Sequence, residues 1–120
     1  MIALALLLAV AAGDPPSMST CLKDGAEVSG EMRWVESRHV GNKSDLRYPF
    51  LVLEKLSCFD TAEGRAYGRW VQLALSRGEM KALVPGNTLT VRAKFLIPMG
   101  AYHIGDVLAS DVVIVSQSPP

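Results

Sequence analysis

SRGEMKALVPGNTLTVRAKFLI, residues 76–97, decides the fold, because it places a short helix directly before the most regular strand of the chain. Ser76 and Glu79 have the spacing of a capping box, in which each side chain bonds the other residue's backbone amide. Pro85-Gly86 then ends the helical pattern. The segment therefore predicts one short helix that begins after Ser76.

In the second half of this stretch, apolar and polar side chains alternate from Thr88 to Phe95, and Leu96 and Ile97 continue it as apolar residues. A period of two residues is typical of a strand with one buried face. The alternation places Arg92 and Lys94 on the outer face of this strand.

Other strands flank this segment on both sides. Gly30, in the middle of the first, indicates a bend of the kind that a strand shared by two sides of a small barrel needs. Three strands, a helix and two strands are the order of an OB-fold. We therefore predict an all-β domain with one short helix, a five-stranded OB-like Greek-key barrel, with another small barrel or sandwich as the alternative. The flanking strands are predicted at 26–34, 50–59, 70–75 and 107–115.

Polar and glycine-containing segments separate these strands and predict loops. The chain ends in a stretch predicted to be frayed from residue 116, so the domain is assigned to 21–116 and a tail to 117–120. The loops are predicted at 37–49, 60–69 and 98–105.

The chain begins with an unbroken apolar run over residues 2–12. This run is too short to span a membrane but fits the core of a signal peptide, with small residues at its end. We expect a cleaved leader at 1–13 and a flexible lead-in at 14–20, with no lipid anchor because no cysteine stands directly after the cleavage region. The alternative is a buried N-terminal helix, although the run has no polar face.

Cys21 and Cys58 both follow the leader. Two cysteines in an exported chain favour a disulfide over two free thiols. If the first two strands pair antiparallel, the end of the second lies beside the start of the first. That pairing would bring Cys58 close to Cys21.

The charged residues are balanced, with 12 Lys and Arg against 12 Asp and Glu, all after the leader. A neutral domain lacks the positive field that drives non-specific binding to nucleic acid. It also lacks the basic cluster of a protein that binds membrane surfaces. Nucleic acid is therefore not the expected partner.

The sequence carries no strong motif for catalysis or metal binding. His39 and His103 lie in different predicted loops and in no cluster with metal-ligand spacing. No serine stands in a nucleophile elbow, and Glu31 and Glu36 fit a solvated strand face. We expect neither an enzyme nor a bound metal or cofactor.

Ligand binding is the more plausible activity, because OB-folds bind oligonucleotides or oligosaccharides on the face of strands two and three. Aromatic rings there stack on bases or sugars, and cations bind acidic groups. Trp34 is expected to pack in the core instead. The candidate binding residues are Tyr48, Tyr67, Arg69, Trp70, Tyr102 and His103.

The loop at 98–105 is unusually apolar and carries the last two of these candidates. Two interpretations are open. It is a protrusion that binds a protein, since Met and Tyr are enriched at interface cores, or Met99 and Ile104 plug the end of the barrel.

Several segments resemble a family of small secreted or periplasmic bacterial domains of unknown function that are OB-like. The resemblance covers residues 21–116 and implies an OB-like fold and an exported address, but no activity. The matching segments are 28–32 (VSGEM), Cys58, 89–95 (LTVRAKF), 102–103 (YH) and 107–109 (VLA).

These observations together predict a periplasmic or secreted, non-enzymatic binding module whose partner is a protein or an envelope glycan. One alternative is a periplasmic inhibitor or immunity protein that neutralises a toxin or a lytic enzyme. An oligonucleotide-binding protein or a small hydrolase is the less favoured alternative.

Overall fold

The computed structural model describes residues 20–38, 45–99 and 103–120. The predicted leader at 1–13 and all but the last residue of the lead-in at 14–20 lie outside these residues. So do His39 and Tyr102.

The described chain is mostly β, with one short helix. Three strands, the helix and two strands follow one another in the predicted order. The elements are β1 (Glu27–Arg38), β2 (Asp45–Thr61), β3 (Gly64–Leu73), α1 (Arg77–Lys81), β4 (Thr88–Leu96) and β5 (Val107–Ser118).

The five strands form one sheet that closes on itself in the order β1-β2-β3-β5-β4. Neighbouring strands are antiparallel except β3 and β5, which run parallel over the short register from Val71–Val107 to Leu73–Ala109. The closure depends on β1. Its first half, Glu27 to Glu31, pairs with β4, and its second half, Glu31 to Arg38, pairs with β2.

Gly30 stands where β1 changes partner, which confirms the prediction of a strand shared by two sides. A Cβ atom at this position would lie 2.6 Å from the carbonyl oxygen of Val52 on β2. Only a residue without a side chain fits this approach, because the atom that it would meet belongs to backbone.

Four strands, β1, β2, β3 and β5, are longer than predicted, and β1 extends to Arg38. β2 begins at Asp45, inside the predicted loop 37–49, and β3 begins at Gly64, inside the predicted loop 60–69. The hairpin between β2 and β3 closes at the pair Thr61–Gly64, and the Thr61 hydroxyl donates to the Gly64 carbonyl. Polar residues of these segments sit on exposed strand positions, so their composition resembles that of a loop.

The predicted tail at 117–120 also begins as strand, because β5 continues to Ser118 and pairs there with Thr88. The side chain of Gln117 fixes the segment after α1. Its Oε1 accepts from the Val84 amide at 2.9 Å, and its Nε2 donates to the Ala82 carbonyl at 3.0 Å.

Helix α1 has the predicted capping box. The Ser76 hydroxyl accepts from the Glu79 amide, and the Glu79 carboxylate accepts from the Ser76 amide. The Ser76 backbone amide, and after it the Ser76 side chain, stabilise the Glu79 carboxylate by hydrogen bonding and lower the pKa of Glu79. The helix therefore begins where the sequence predicts.

No helix of the described residues is long and apolar enough to cross a membrane.

The interior of the closed sheet is filled by the inward residues of all five strands. On β4 the predicted alternation is confirmed, since the apolar residues are buried while Arg92 and Lys94 are exposed. The rings of Phe59 and Phe95 meet in the core with centroids 5.0 Å apart. Trp34 packs partly buried against this core, as predicted.

Cys21 and Cys58 form the predicted disulfide. The antiparallel pairing of β1 and β2 that favoured it is present. The segment before β1 also bonds β2 directly, since the Leu22 amide donates to the Cys58 carbonyl and the Asp60 amide donates to the Leu22 carbonyl, both at 2.8 Å. The disulfide joins two positions that are 37 apart in the sequence. A cross-link of this length would stabilise the fold by roughly 3.8 kcal/mol, because it lowers the entropy of the unfolded chain.

We predict that Gly30→Ala lowers the free energy of unfolding by about 1–3 kcal/mol, the usual cost of overpacking. The added methyl group must displace the Val52 carbonyl and with it the pairing of β1 and β2. Urea unfolding followed by tryptophan fluorescence measures the change.

Gly78→Ala is the matched control, because a Cβ on this helical residue meets nothing within 4 Å. It should stabilise the protein by about 0.4–1 kcal/mol. An equal effect of the two substitutions would contradict the assigned role of Gly30.

Candidate functional site

A groove opens on the outside of the sheet where β1 and β2 separate. Their pairing ends at Glu31–Val52, because the earlier residues of β1 pair with β4. The register between β2 and β3 is also interrupted, between Val52 and Ser57. The middle of β2, between Val52 and Ser57, is therefore not in regular register with β1 or with β3.

This groove, called here the β1–β2 groove, has a volume of about 400 Å³. Its lining comes from four strands, with β1 and β2 contributing most. A second depression of about 380 Å³ continues it towards Leu22 and shares three lining residues with it, Ser29, Leu53 and Glu54. The lining residues of the β1–β2 groove are Ser29, Gly30, Glu31, Arg33, Val52, Leu53, Glu54, Arg69 and Thr88.

Charged side chains of both signs line the groove. Glu31 and Arg33, two residues apart on the same face of β1, form a bidentate ion pair with N–O distances of 3.0 and 3.2 Å. The hydrogen bond, helped by the charge of the carboxylate, raises the pKa of Arg33. Arg69 donates from Nε to the Leu53 carbonyl at 2.8 Å, and Glu54 adds an exposed carboxylate. The lining of the groove thus carries two guanidinium groups and two carboxylates, whose charges balance.

Trp70 lies beside the groove, because it pairs with Val52 across β2 and β3. Its side chain is 36% exposed and packs edge-on against Phe50, with ring centroids 6.0 Å apart. The guanidinium carbon of Arg33 lies 6.0 Å from the centroid of the indole. The indole is held from two sides, yet a third of its residue surface remains accessible to a ligand.

Asp106, just before β5, fixes the backbone of β3 at this point. Its Oδ2 accepts from the amides of Arg69 and Trp70, both at 3.1 Å. Its own amide donates to the Trp70 carbonyl at 2.8 Å. Gly68 makes room for this carboxylate, since a Cβ there would lie 2.2 Å from the Asp106 Cβ.

The predicted candidates do not form one site. Arg69 and Trp70 come together at the β1–β2 groove. Tyr67, 46% exposed on β3, does not line the groove. It lies beside Arg65, whose pKa is raised first by the hydrogen bond to Asp60 and then by the Tyr67 hydroxyl. Tyr48 and His103 line a separate pocket.

Of the predicted loop candidates, Tyr102 lies outside the described residues. Met99 is 67% and Ile104 38% exposed. The interpretation of Met99 as a plug of the barrel is therefore wrong, because its side chain is mostly in solvent.

Sequence reasoning missed Arg33 and Glu54, and treated Glu31 as a solvated face. Alternation along the first predicted strand does place Glu31 and Arg33 outward. The alternation does not reveal that β1 and β2 diverge next to Glu31 and Arg33, because the divergence results from the pairing of β1 with β4.

One group of three metal-type ligands comes together within the described part of the chain, namely Cys21, Cys58 and Asp60. The two sulfur atoms are bonded to each other. They are therefore not available as thiolate ligands.

The chain matches no protein-family model, and no curated protein or solved structure shows significant similarity to it.

We predict that Asp106→Ala speeds hydrogen exchange at the amides of Arg69 and Trp70 by about ten-fold or more. Each amide loses a bond to a carboxylate, a class of hydrogen bond worth about 1.5–3 kcal/mol. Amide exchange followed by NMR measures the change.

Asp24→Ala is the matched control, because Asp24 accepts from the Phe95 amide at 2.9 Å. It should speed exchange at Phe95 and leave Arg69 and Trp70 unchanged. Slow exchange at Arg69 and Trp70 in Asp106→Ala would show that Asp106 does not hold this segment.

Proposed function

We propose that the chain is an exported, non-enzymatic binding module with an OB-like fold, and that it binds an envelope glycan in the β1–β2 groove. The strand order β1-β2-β3-β5-β4 with parallel β3 and β5 supports the OB-like assignment. The helix between β3 and β4 supports it as well.

Export is supported by two features of the chain. The apolar run at 2–12 has the length and the small-residue end of a signal peptide. Disulfides persist in oxidising compartments, and Cys21 and Cys58 form one. These two features together support a periplasmic or secreted address.

The single observation that carries the choice of ligand is the position of Trp70 beside a groove of balanced charge. Sugar hydroxyls both donate and accept hydrogen bonds, so a lining with guanidinium, carboxylate and hydroxyl groups suits them. The apolar face of a sugar ring stacks on an aromatic side chain. Nucleic acid would instead require an excess of positive charge, and Glu31 and Glu54 balance Arg33 and Arg69.

The proposal of a non-enzymatic role is supported by the groove's hydroxyl groups. Ser29 shares a hydrogen bond of 2.6 Å with the Thr90 hydroxyl. Among the described residues that line the groove there is no histidine to act as a base. Nucleophilic catalysis by a serine needs a general base within hydrogen-bond reach of its hydroxyl, and the hydrogen bond of the Ser29 hydroxyl is to Thr90 instead.

We predict that the purified, oxidised protein binds a neutral N-acetylhexosamine oligosaccharide such as chitotetraose, and that Trp70→Ala weakens binding about ten-fold. A nucleobase stacked on an aromatic side chain gains about 1–3 kcal/mol, and we expect the puckered sugar ring to gain an amount near the lower end, which corresponds to about ten-fold in affinity. Isothermal titration calorimetry gives the two affinities.

Tyr67→Ala is the control, because it removes another exposed aromatic residue of β3 that does not line the groove. It should leave the affinity unchanged. Failure of the unaltered protein to bind oligosaccharides, or equal loss in both variants, would refute the glycan proposal.

A protein partner is the second candidate, favoured by the exposed apolar side chains of Met99 and Ile104. Methionine is enriched at the cores of protein interfaces. Both lie in the segment between β4 and β5.

For this candidate we predict that Met99→Ala with Ile104→Ala abolishes capture of a partner from envelope extract. Val113→Ala, which alters an apolar side chain 55% exposed on β5, should not. Capture that survives the double substitution would remove this segment as the contact.

A further inference from the structure

A second pocket lies away from the β1–β2 groove, between the start of β2, the end of β3 and helix α1. Its volume is about 300 Å³, at the lower end of the range for sites that bind small molecules. The pocket combines an apolar floor with a polar rim and is called here the Tyr48 pocket. The residues used in the argument are Arg47, Tyr48, Leu75, Met80, His103 and Leu108.

The floor of the Tyr48 pocket is apolar. Leu108 of β5 is buried, and Leu75 and Met80 are half-buried with surface left towards the pocket. Methionine adapts its shape to irregular ligands, because its side chain is unbranched and flexible. This floor suits a short alkyl chain or an aromatic ring.

Two hydrogen-bond donors, Arg47 and His103, lie at the rim. The guanidinium of Arg47 lies over the ring of Trp34, 4.8 Å from its centroid, which orients the group without neutralising its charge. Nδ1 of His103 accepts from the Met99 amide at 3.4 Å. The other ring nitrogen, Nε2, is therefore the one that can donate to a ligand.

A buried side chain holds the rim in place. Gln72, 4% exposed, accepts through Oε1 from the amide of Ile104 at 2.8 Å and that of Gly105 at 3.3 Å. These bonds fix the segment that follows His103 against β3. The backbone that follows the imidazole is thus held next to the pocket.

We propose that the Tyr48 pocket binds an amphipathic carboxylate, with a short fatty or aryl body on the floor and its anion at the rim. Among the described residues that line the pocket there is no carboxylate that would repel this anion. A guanidinium binds a carboxylate through two parallel hydrogen bonds. A neutral sugar, the ligand proposed for the other groove, would leave the charge of Arg47 unmatched.

The test is a titration of the purified, oxidised protein with octanoate and with octanamide, which differ only in the charged head group. Octanoate should bind about ten-fold more tightly than octanamide, as expected for a charge-assisted pair. Arg47→Gln should remove this preference and leave octanamide binding unchanged. Met80→Ala should weaken both ligands.

Arg92→Gln is the matched control, because Arg92 is exposed on β4, pairs with Glu27 and does not line the pocket. It should keep the full preference for octanoate. His103→Ala offers a second rim variant, which should weaken octanoate more than octanamide.

Equal affinity for octanoate and octanamide would overturn the proposal. So would an unchanged octanoate affinity in both Arg47→Gln and His103→Ala, or no binding of octanoate at millimolar concentration. None of these outcomes bears on binding at the β1–β2 groove, because the two sites share no lining residue.

Discussion

The approach of β1 to the Val52 carbonyl at Gly30 is the constraint on which the rest of this structure depends. It lets one strand pair with β4 through its first half and with β2 through its second, and so closes the sheet. The same change of partner separates β1 from the middle of β2. Closure of the core and opening of the groove are therefore two consequences of one backbone contact, and a side chain at position 30 would disturb both.

Asp106 and Trp70 show how a second contact turns this opening into a site. The parallel pairing of β3 with β5 brings Asp106 against β3, where its carboxylate accepts two amides and Gly68 leaves room for it. Trp70 is thereby held next to Val52, at the edge of the groove. The ion pair of Arg33 with Glu31 supplies charges there that are paired with each other but remain exposed, so a polar ligand can reach them.

Much of the fold could be predicted from local patterns. The alternation of residues 88–95 identified β4, the spacing of Ser76 and Glu79 identified the start of α1, and Gly30 marked the shared strand. The disulfide followed from antiparallel pairing of the first two strands. Strand ends were less predictable, because the buried positions of β3 before Trp70 are Ala66 and Gly68. Such small residues give no clear apolar alternation, and the strand conformation there shows only in the pairing with β2. The site was predicted only in part, since Arg69 and Trp70 were expected but the grouping of Arg33 with them results from long-range pairing.

The central claim is that the divergence of β1 and β2 creates the binding surface, and a map of amide chemical-shift changes during titration with chitotetraose tests it most directly. The account predicts that the largest changes fall on residues 29–33, 52–54 and 69–70, which line or adjoin the β1–β2 groove. Changes confined to other surfaces, such as the outer face of β5 or the Tyr48 pocket, would contradict it.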